Sequence, residues 1–298
     1  MPELPEVETI RRDLSTAIIS RRVVAVDLRS SKTAKNEAAF FVSALTGCEF
    51  AEVNRFGKLL ALRLKKKRGE QTNVFLLIHL KMTGQLILDT GKGKLAGGHS
   101  LSENSFVSAV GGELPNKHTR AIIIFAGGNK LFFNDLRKFG YLKIVNQDEL
   151  DKIVASSYGP EPLTPVFTVS HLAAIVKKRQ TSIKAVLLNQ KLIAGLGNIY
   201  VDESLFVSGI RPGRPASSLL ATEIKKLFQA INQVIELAIV NRGTTFSNYV
   251  DPAGKKGNFS KMLKVYGRGG QPCFGCRGAI TKCKLAGRGT HFCPNCQK

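Results

Sequence analysis

The chemistry of this chain is most exposed at its beginning. If Met1 is removed, Pro2 becomes an N-terminal secondary amine with the carboxylate of Glu3 beside it. An α-amino group titrates near pH 8, roughly two units below a lysine, so a usable fraction is unprotonated at neutral pH. Such an amine can attack a carbon at the aldehyde oxidation level, C1′ of a sugar for example, and form an imine. The same residues also suit an acidic first turn of a helix, with Pro5 where proline is tolerated.

A second constellation stands at the other end. Cys273 and Cys276 form one Cys-x-x-Cys pair, Cys293 and Cys296 another, with residues 277–292 between them. Two such loops joined by a short hairpin deliver four thiolates to one zinc ion, and a zinc ribbon of this kind is a structural site. A disulfide framework is the competing reading, and no secretory context supports it. Cys283 lies inside the finger as a competing thiol. Cys48, in an apolar run, reads as a small buried hydrophobe. His291 is near enough to the second pair to substitute as a ligand, but reads better as a finger-surface residue.

The charge points to a polyanionic partner. Lys and Arg number 44 against 22 Asp and Glu, a formal net charge of +22 with a pI near 10.0, the footprint expected of a nucleic-acid binder. Basic clusters stand at 65–68, 177–179 and 255–256, and at Lys261 with Lys264. No apolar run is long enough to span a bilayer. The acidic start, with Glu3, Glu6 and Glu8, does not suit a signal or transit peptide. A soluble, cytoplasmic protein is expected.

The elements that must position these groups divide the chain by periodicity. Val7, Ile10, Leu14 and Ile18 fall on one face of a helix over 5–19. Strand patterns follow at 23–29, 48–64, 73–80, 85–89, 120–125, 130–134 and 141–145, as in a β-sandwich or barrel. The Gly/Ser-rich stretch 91–117 interrupts them and reads as a mobile insertion. Residues 159–165, with three prolines, read as a linker or hinge. Helices are then expected at 168–178, 182–190, 198–208 and 218–241. The last would bury a stripe of Leu220, Ile224, Leu227, Ile231 and Ile235, with Gly243 just past its end. Between two of these helices, Gly195-Leu196-Gly197-Asn198 forms either a backbone N–H nest suited to a phosphate or a plain turn.

Together these motifs resemble the formamidopyrimidine-DNA glycosylase family over nearly the whole length. The resemblance rests on residues 2–8 (Pro-Glu-Leu-Pro-Glu-Val-Glu), Arg55-Phe56-Gly57-Lys58, His79-Leu80-Lys81-Met82-Thr83-Gly84 and Asp135-Leu136-Arg137-Lys138-Phe139-Gly140. It continues through Gly195-Leu196-Gly197-Asn198-Ile199-Tyr200, Val265-Tyr266-Gly267-Arg268 and residues 287–293.

The fold it implies is α+β and multidomain: an N-terminal catalytic β-sandwich with a leading helix (1–146), a helical helix–two-turn–helix DNA-binding domain (147–264) and a C-terminal zinc-ribbon finger (265–298), with DNA in the cleft between domains. The activity it implies is a bifunctional glycosylase and abasic-site lyase. Its partner is double-stranded DNA containing oxidised purines, 8-oxoguanine and formamidopyrimidines, or abasic sites. A monomer is expected, with one structural Zn2+ on Cys273, Cys276, Cys293 and Cys296.

Residue roles carry over by the same resemblance. Pro2 is the nucleophile at C1′, Glu3 the acid on the sugar O4′, and Lys58 a proton shuttle or backbone anchor, while Glu6 holds the N-terminus. Asn198 and Arg288 clamp phosphates flanking the lesion, one from the helical turn and one from the finger. His79 and Lys184 are further DNA contacts, Lys184 as a phosphate-contacting base. A damaged base must leave the stack before it can be attacked, and Met82, Arg137 and Phe139 are the residues implied to fill the void. Their chemistry agrees: an adaptable thioether, an aromatic wedge and a multidentate donor for the estranged cytosine. Taken singly, Met82 and Phe139 also suit a core, and Arg137 a surface phosphate contact. Residues 244–264, with Tyr249 and 254–257, are expected to cover the flipped base. Two alternatives stay open: an endonuclease VIII-like enzyme for oxidised pyrimidines, away from which Leu4 and the Met82/Arg137/Phe139 set lean, and a non-catalytic zinc-ribbon protein that binds damaged DNA.

Overall fold

The computed structural model describes residues 2–66, 71–91, 93–98, 106–244 and 259–298. They form two compact units, Met1–Val154 with Asn241–Asn258, and Ala155–Val240 with Phe259–Lys298.

The first unit begins with α1 (Leu4–Ala17). Pro5 sits in its first turn, where the missing N–H has no partner to lose. Val7, Ile10, Leu14 and Ile18 are all buried, as their 3–4 spacing requires. There follow β1 (Val23–Leu28), α2 (Ala38–Leu45), β2 (Glu49–Phe56), β3 (Leu59–Lys65), β4 (Gln71–His79), β5 (Gly84–Asp89), β6 (Lys94–Gly98), α3 (Phe106–Val110), β7 (Thr119–Phe125), β8 (Lys130–Asp135), β9 (Tyr141–Asn146) and α4 (Gln147–Ser157). The strands make a five-stranded sheet, β1-β7-β8-β5-β6, and a four-stranded sheet, β2-β3-β4-β9. Alternate residues of both, Leu60, Leu62 and Leu64 from one and Ala121, Ile123 and Phe125 from the other, share a single core with α1 and α2. That is the period-two burial of a sandwich.

Three expectations need correction here. The expected strand 48–64 is two strands, broken at the Gly57–Lys58 turn where Phe56 pairs with Leu59. The stretch 91–117 is not a structureless insertion. Its described part supplies β6, which completes the five-stranded sheet, and α3. Val110 of α3 packs over the outer face of the sheet on Ile87, Ala96, Ile122 and Phe132. Gln85 Nε2 donates to Ala109 O and Asn134 Nδ2 to Val110 O, fixing that helix. Finally, α2 and α4 occupy segments in which no helix was expected.

The second unit contains α5 (Val169–Lys177), α6 (Ile183–Leu188), α7 (Asn198–Val207), α8 (Ala221–Val240) and the hairpin β10 (Thr281–Leu285) and β11 (Arg288–Phe292). Ile224, Leu227, Ile231 and Ile235 of α8 are buried as expected, whereas Leu220 precedes the helix and is 65% exposed. The segment 159–165 is no free linker. Gly159 N donates to Gln190 O, Ala194 N to Pro160 O, and Leu163 N to Asn232 Oδ1, so it lies against the rest of the unit. Among the described residues, no helix is long and apolar enough to cross a membrane.

Candidate active site and nucleic-acid contacts

Pro2 is buried and Glu3, the N-cap of α1, is 2% exposed. Glu3 and Glu6 form a reciprocal capping box: the Glu3 amide donates to Glu6 Oε2 at 2.8 Å, and the Glu6 amide faces the Glu3 carboxylate. The other oxygen of Glu6 accepts from Thr244 N at 2.8 Å and from its hydroxyl. Glu6 thus fixes the N-terminal residues to the chain that leads into 245–258. The expected base-covering residues Tyr249 and 254–257 lie outside the described residues.

Lys58 occupies the two-residue turn between β2 and β3, made tight by Gly57 at φ +56°. Its ammonium-bearing side chain is 6% exposed. The turn is tied to α1 through Arg55, whose Nη1 donates to Gly57 O and whose Nε donates to Glu8 Oε2. Glu8 also accepts from Arg11 and Arg12. Burial pushes the Glu8 carboxyl up, but hydrogen bonds from Arg11, Arg12 and Arg55 outweigh it and hold it at about 2. Glu8 and Arg55 therefore fix where Lys58 stands relative to Pro2 and Glu3.

His79, at the end of β4, lies against Tyr141 and is held near a pKa of about 3, first by burial and then by the Lys81 and Lys58 charges. Its Nδ1 accepts from the Lys81 amide. The ring is therefore neutral, with its proton on Nε2, a donor that survives at any physiological pH.

Met82 and Arg137 are 55 residues apart, yet Arg137 Nη1 donates to Met82 Sδ at 3.1 Å. The Arg137 guanidinium lies over the Phe139 ring, 4.7 Å from its centroid. The three residues expected to fill the void left by a flipped base form one surface cluster, with Phe139 52% exposed. Asp135, 1% exposed, builds it. Its Oδ1 accepts from the Thr83 hydroxyl and the Arg137 amide, and its Oδ2 accepts from Gly140 N at 2.7 Å. Both turns hang from this carboxylate. A Cβ at Gly140 would lie 2.8 Å from Phe133 and 3.1 Å from the Asp135 carboxylate, so only glycine closes the second turn.

In the second unit, Lys184 is not at the surface. Lys184 and Asp202 are both fully buried and paired at 2.6 Å. From there the lysine cannot reach a phosphate without breaking that pair, which corrects the expectation of a basic phosphate contact. Burial raises the Asp202 carboxyl to about 6, against the opposing pull of Lys184 and of the His291 amide. Lys184 Nζ and Asn198 Nδ2 both donate to Gly289 O, at 3.2 and 2.8 Å. The turn before α7 and the tip of the finger hairpin are thereby joined, and Arg288, beside Gly289, is exposed at that tip. The next residue, Glu203, is buried and accepts three backbone N–H bonds, from Lys264, Val265 and Tyr266. Asp202 and Glu203, together with Asp135, Glu8 and Arg55, are the positioning residues that sequence reasoning missed or left without a role. Adjacent acids in the middle of an otherwise largely apolar helix were the available signal for the first two.

Cys273, Cys276, Cys293 and Cys296 place their sulfurs within 4.8 Å of one another. The Cys273–Cys296 and Cys276–Cys293 separations are 3.9 and 3.4 Å. Tetrahedral zinc with bonds of about 2.3 Å needs sulfur–sulfur edges of about 3.8 Å, so the set fits. Disulfide bonds, near 2.05 Å, do not. Cys283, exposed on β10, is outside the cluster. Cys48 is half-buried and directs its thiol to Ala44 O. His291 is neither ligand nor surface residue: it is 8% exposed, packed on Tyr266 with its amide donating to Asp202.

Comparison with known proteins agrees with this geometry. The formamidopyrimidine-DNA glycosylase N-terminal domain matches residues 1–142, the H2TH domain of the same family 158–249, and the zinc finger found in FPG and IleRS 270–298. Proteins named formamidopyrimidine-DNA glycosylase from Desulfitobacterium hafniense and Listeria monocytogenes are each 40% identical, with the whole of both chains covered. The chain belongs to the formamidopyrimidine-DNA glycosylase family. Among solved structures of that family, a Lactococcus lactis FPG variant bound to DNA containing Fapy-dG matches with a TM-score of 0.84 at 31% identity, covering 100% of each chain. The Lactococcus lactis enzyme with abasic-site DNA matches at 0.82 and 31%, over 99% of each chain. A complex of that enzyme with oxidised-pyrimidine DNA matches at 0.82 and 31%, over 100% of each.

Proposed function

We propose that this chain is a bifunctional DNA glycosylase and abasic-site lyase, acting on oxidised purines in duplex DNA. The observation that carries the reading is the buried Pro2–Glu3 N-terminus, fixed by Glu6 at the head of α1, in a chain that aligns end to end with the family.

Once Met1 is removed, the Pro2 nitrogen attacks C1′ of the damaged nucleotide. The N-glycosidic bond breaks and the base leaves with its electron pair. Glu3 protonates O4′ as the sugar ring opens, leaving an iminium between Pro2 and C1′. The iminium acidifies the C2′ proton. Loss of that proton expels the 3′-phosphate, and a second elimination expels the 5′-phosphate. Lys58, on its fixed turn, is placed to anchor the strand or move a proton. Met82, Arg137 and Phe139 occupy the gap left by the extruded base, Arg137 facing the unpaired cytosine. Asn198 offers its second amide N–H, and Arg288 its guanidinium, to phosphates. One zinc ion held by Cys273, Cys276, Cys293 and Cys296 would supply no chemistry to the reaction; it would hold the hairpin that carries Arg288. A chromosomal substrate implies a cytoplasmic protein, and an asymmetric DNA site needs only a monomer.

The test is borohydride trapping. Mass-checked protein lacking Met1 is incubated with an 8-oxoguanine:cytosine duplex and reduced. A covalent adduct, absent when the N-terminus is blocked, is the expected result. No adduct with that duplex but one with a thymine-glycol duplex would move the substrate class to oxidised pyrimidines, which the DNA bound by the Lactococcus lactis relative makes the natural second arm. No adduct with either would reduce the protein to a binder of damaged DNA.

A further inference from the structure

We infer that Met82 is an oxidation site through which peroxide turns down the purine-excising activity of this protein. The inference rests on the functional reading above, and it concerns the thioether itself. Met82 lies half-buried in a surface turn, and its sulfur accepts from Arg137 Nη1 at 3.1 Å. That contact is a weak one, a cation on a soft acceptor, which Arg137 can leave to meet an unpaired base.

Oxidation changes both halves of the cluster. Hydrogen peroxide transfers one oxygen atom to the sulfur. The thioether loses two electrons and becomes a sulfoxide, and the peroxide is reduced to water. The side chain that must fill a gap in an apolar base stack then carries a strong dipole. The oxygen added to the sulfur is a far better acceptor than the thioether, and it is formed beside a guanidinium already in contact. Arg137 also rests on Phe139 at 4.7 Å, so all three residues are disturbed together. The oxidant class that makes 8-oxoguanine would thus also mark the protein that removes it. Methionine sulfoxide reductases reverse the mark, so the site is a switch rather than a lesion.

The chain makes the test clean, because it holds three methionines. Met1 is removed in the active form, and Met262 belongs to the other unit, where it is 40% exposed. Protein is treated with graded hydrogen peroxide, Met82 and Met262 occupancies are read by peptide mass spectrometry, and retained zinc is measured in the same samples. Excision from an 8-oxoguanine:cytosine duplex is compared with strand nicking at a preformed single-stranded abasic site, which has no stack to fill. Excision is expected to fall about tenfold, the discrimination a good arginine–base contact supplies, in proportion to Met82 sulfoxide. Nicking of the single strand should hold, and reductase treatment should restore excision. Met82→Leu, compared only with its own untreated sample, should lose nothing on oxidation. Full Met82 oxidation without loss of excision would overturn the inference. So would an equal loss in Met82→Leu, or oxidation of Met262 while Met82 stays intact. Untreated wild-type protein that fails to excise 8-oxoguanine would instead overturn the functional reading, so the two failures are distinct.

Discussion

Asp135 shows how much a single side chain organises. It is buried, and one carboxylate gathers the Thr83 hydroxyl and the amides of Arg137 and Gly140. Replacing it with alanine strands the Thr83 hydroxyl and the Gly140 amide, each at a cost of about 1–3 kcal/mol when buried, while the Arg137 amide keeps its 2.9 Å bond to Thr83 Oγ1. Asp135→Ala should therefore lower unfolding stability in urea by about 3 kcal/mol or more. It should also depress 8-oxoguanine excision far more than nicking of single-stranded abasic DNA. Equal loss on both substrates would mean that the turns at 82 and 137 have no separate role. Glu8 gives a second expectation, set by pH. Its folded pKa is about 2, against an ordinary 4.5. A depressed carboxyl contributes stability above the unfolded value and loses it as pH falls through the folded one, here between about 4.5 and 2. Glu8→Gln should cost about 1–3 kcal/mol at pH 7, less than the full shift because Arg11 and Arg12 are partly solvated, and almost nothing at pH 2. A stability difference independent of pH would show that the three arginines do not act through the charge.

At the scale of elements, legibility follows from length and from where the partner of each pattern lies. The amphipathic stripes of α1 and α8 span several turns each, so periodicity alone shows them. In α2, only Phe41 and Leu45 are buried, one pair at i and i+4, too little to register a period. The strand β6, Lys-Leu-Ala-Gly-Gly, has poor intrinsic strand preference and exists because β5 pairs with it. The site divides the same way. The four cysteines declare themselves by spacing. The Met82–Arg137 contact joins turns that only the folded sheets bring together, so family resemblance alone could name the pair. The buried Lys184–Asp202 pair was not legible: the resemblance marked Lys184 as a phosphate contact, and no spacing ties it to an acid 18 residues further on. Its energetics are testable. Lys184→Met leaves the Asp202 carboxylate buried without its cation, a change that typically costs about 3–5 kcal/mol. Adding Asp202→Leu should recover most of that loss in urea unfolding, short of the bond from the His291 amide. If the double variant were no more stable than the single one, the pair would be contributing net stability and not merely satisfying itself.

Over the whole molecule, the net charge of +22 is a poor guide to how many charges meet DNA, since burial decides which ones act. Each phosphate neutralised by a cation releases counterions, so the slope of log K against log salt counts cationic contacts and not positive residues. Arg288 is exposed at the hairpin tip and should count; Asn198 beside it is a neutral donor and should not. Lys184 is already neutralised by Asp202, fully buried, and should count for nothing. The expected pattern is specific. Arg288→Ala should weaken duplex binding and lower the magnitude of the salt slope by about 1. Asn198→Ala should weaken binding with the slope unchanged. The Lys184→Met, Asp202→Leu double variant, which removes the buried pair together, should also keep the slope. Chelating the zinc should then reproduce the Arg288→Ala result in the wild type and add nothing in Arg288→Ala itself, because the four thiolates act on DNA only by fixing the hairpin that presents this arginine. Titrations by fluorescence anisotropy across a range of salt concentrations read all four. A drop of about one in the slope of the double variant would return Lys184 to the DNA surface. A zinc-free protein with an unaltered slope would separate the metal from the phosphate contact altogether.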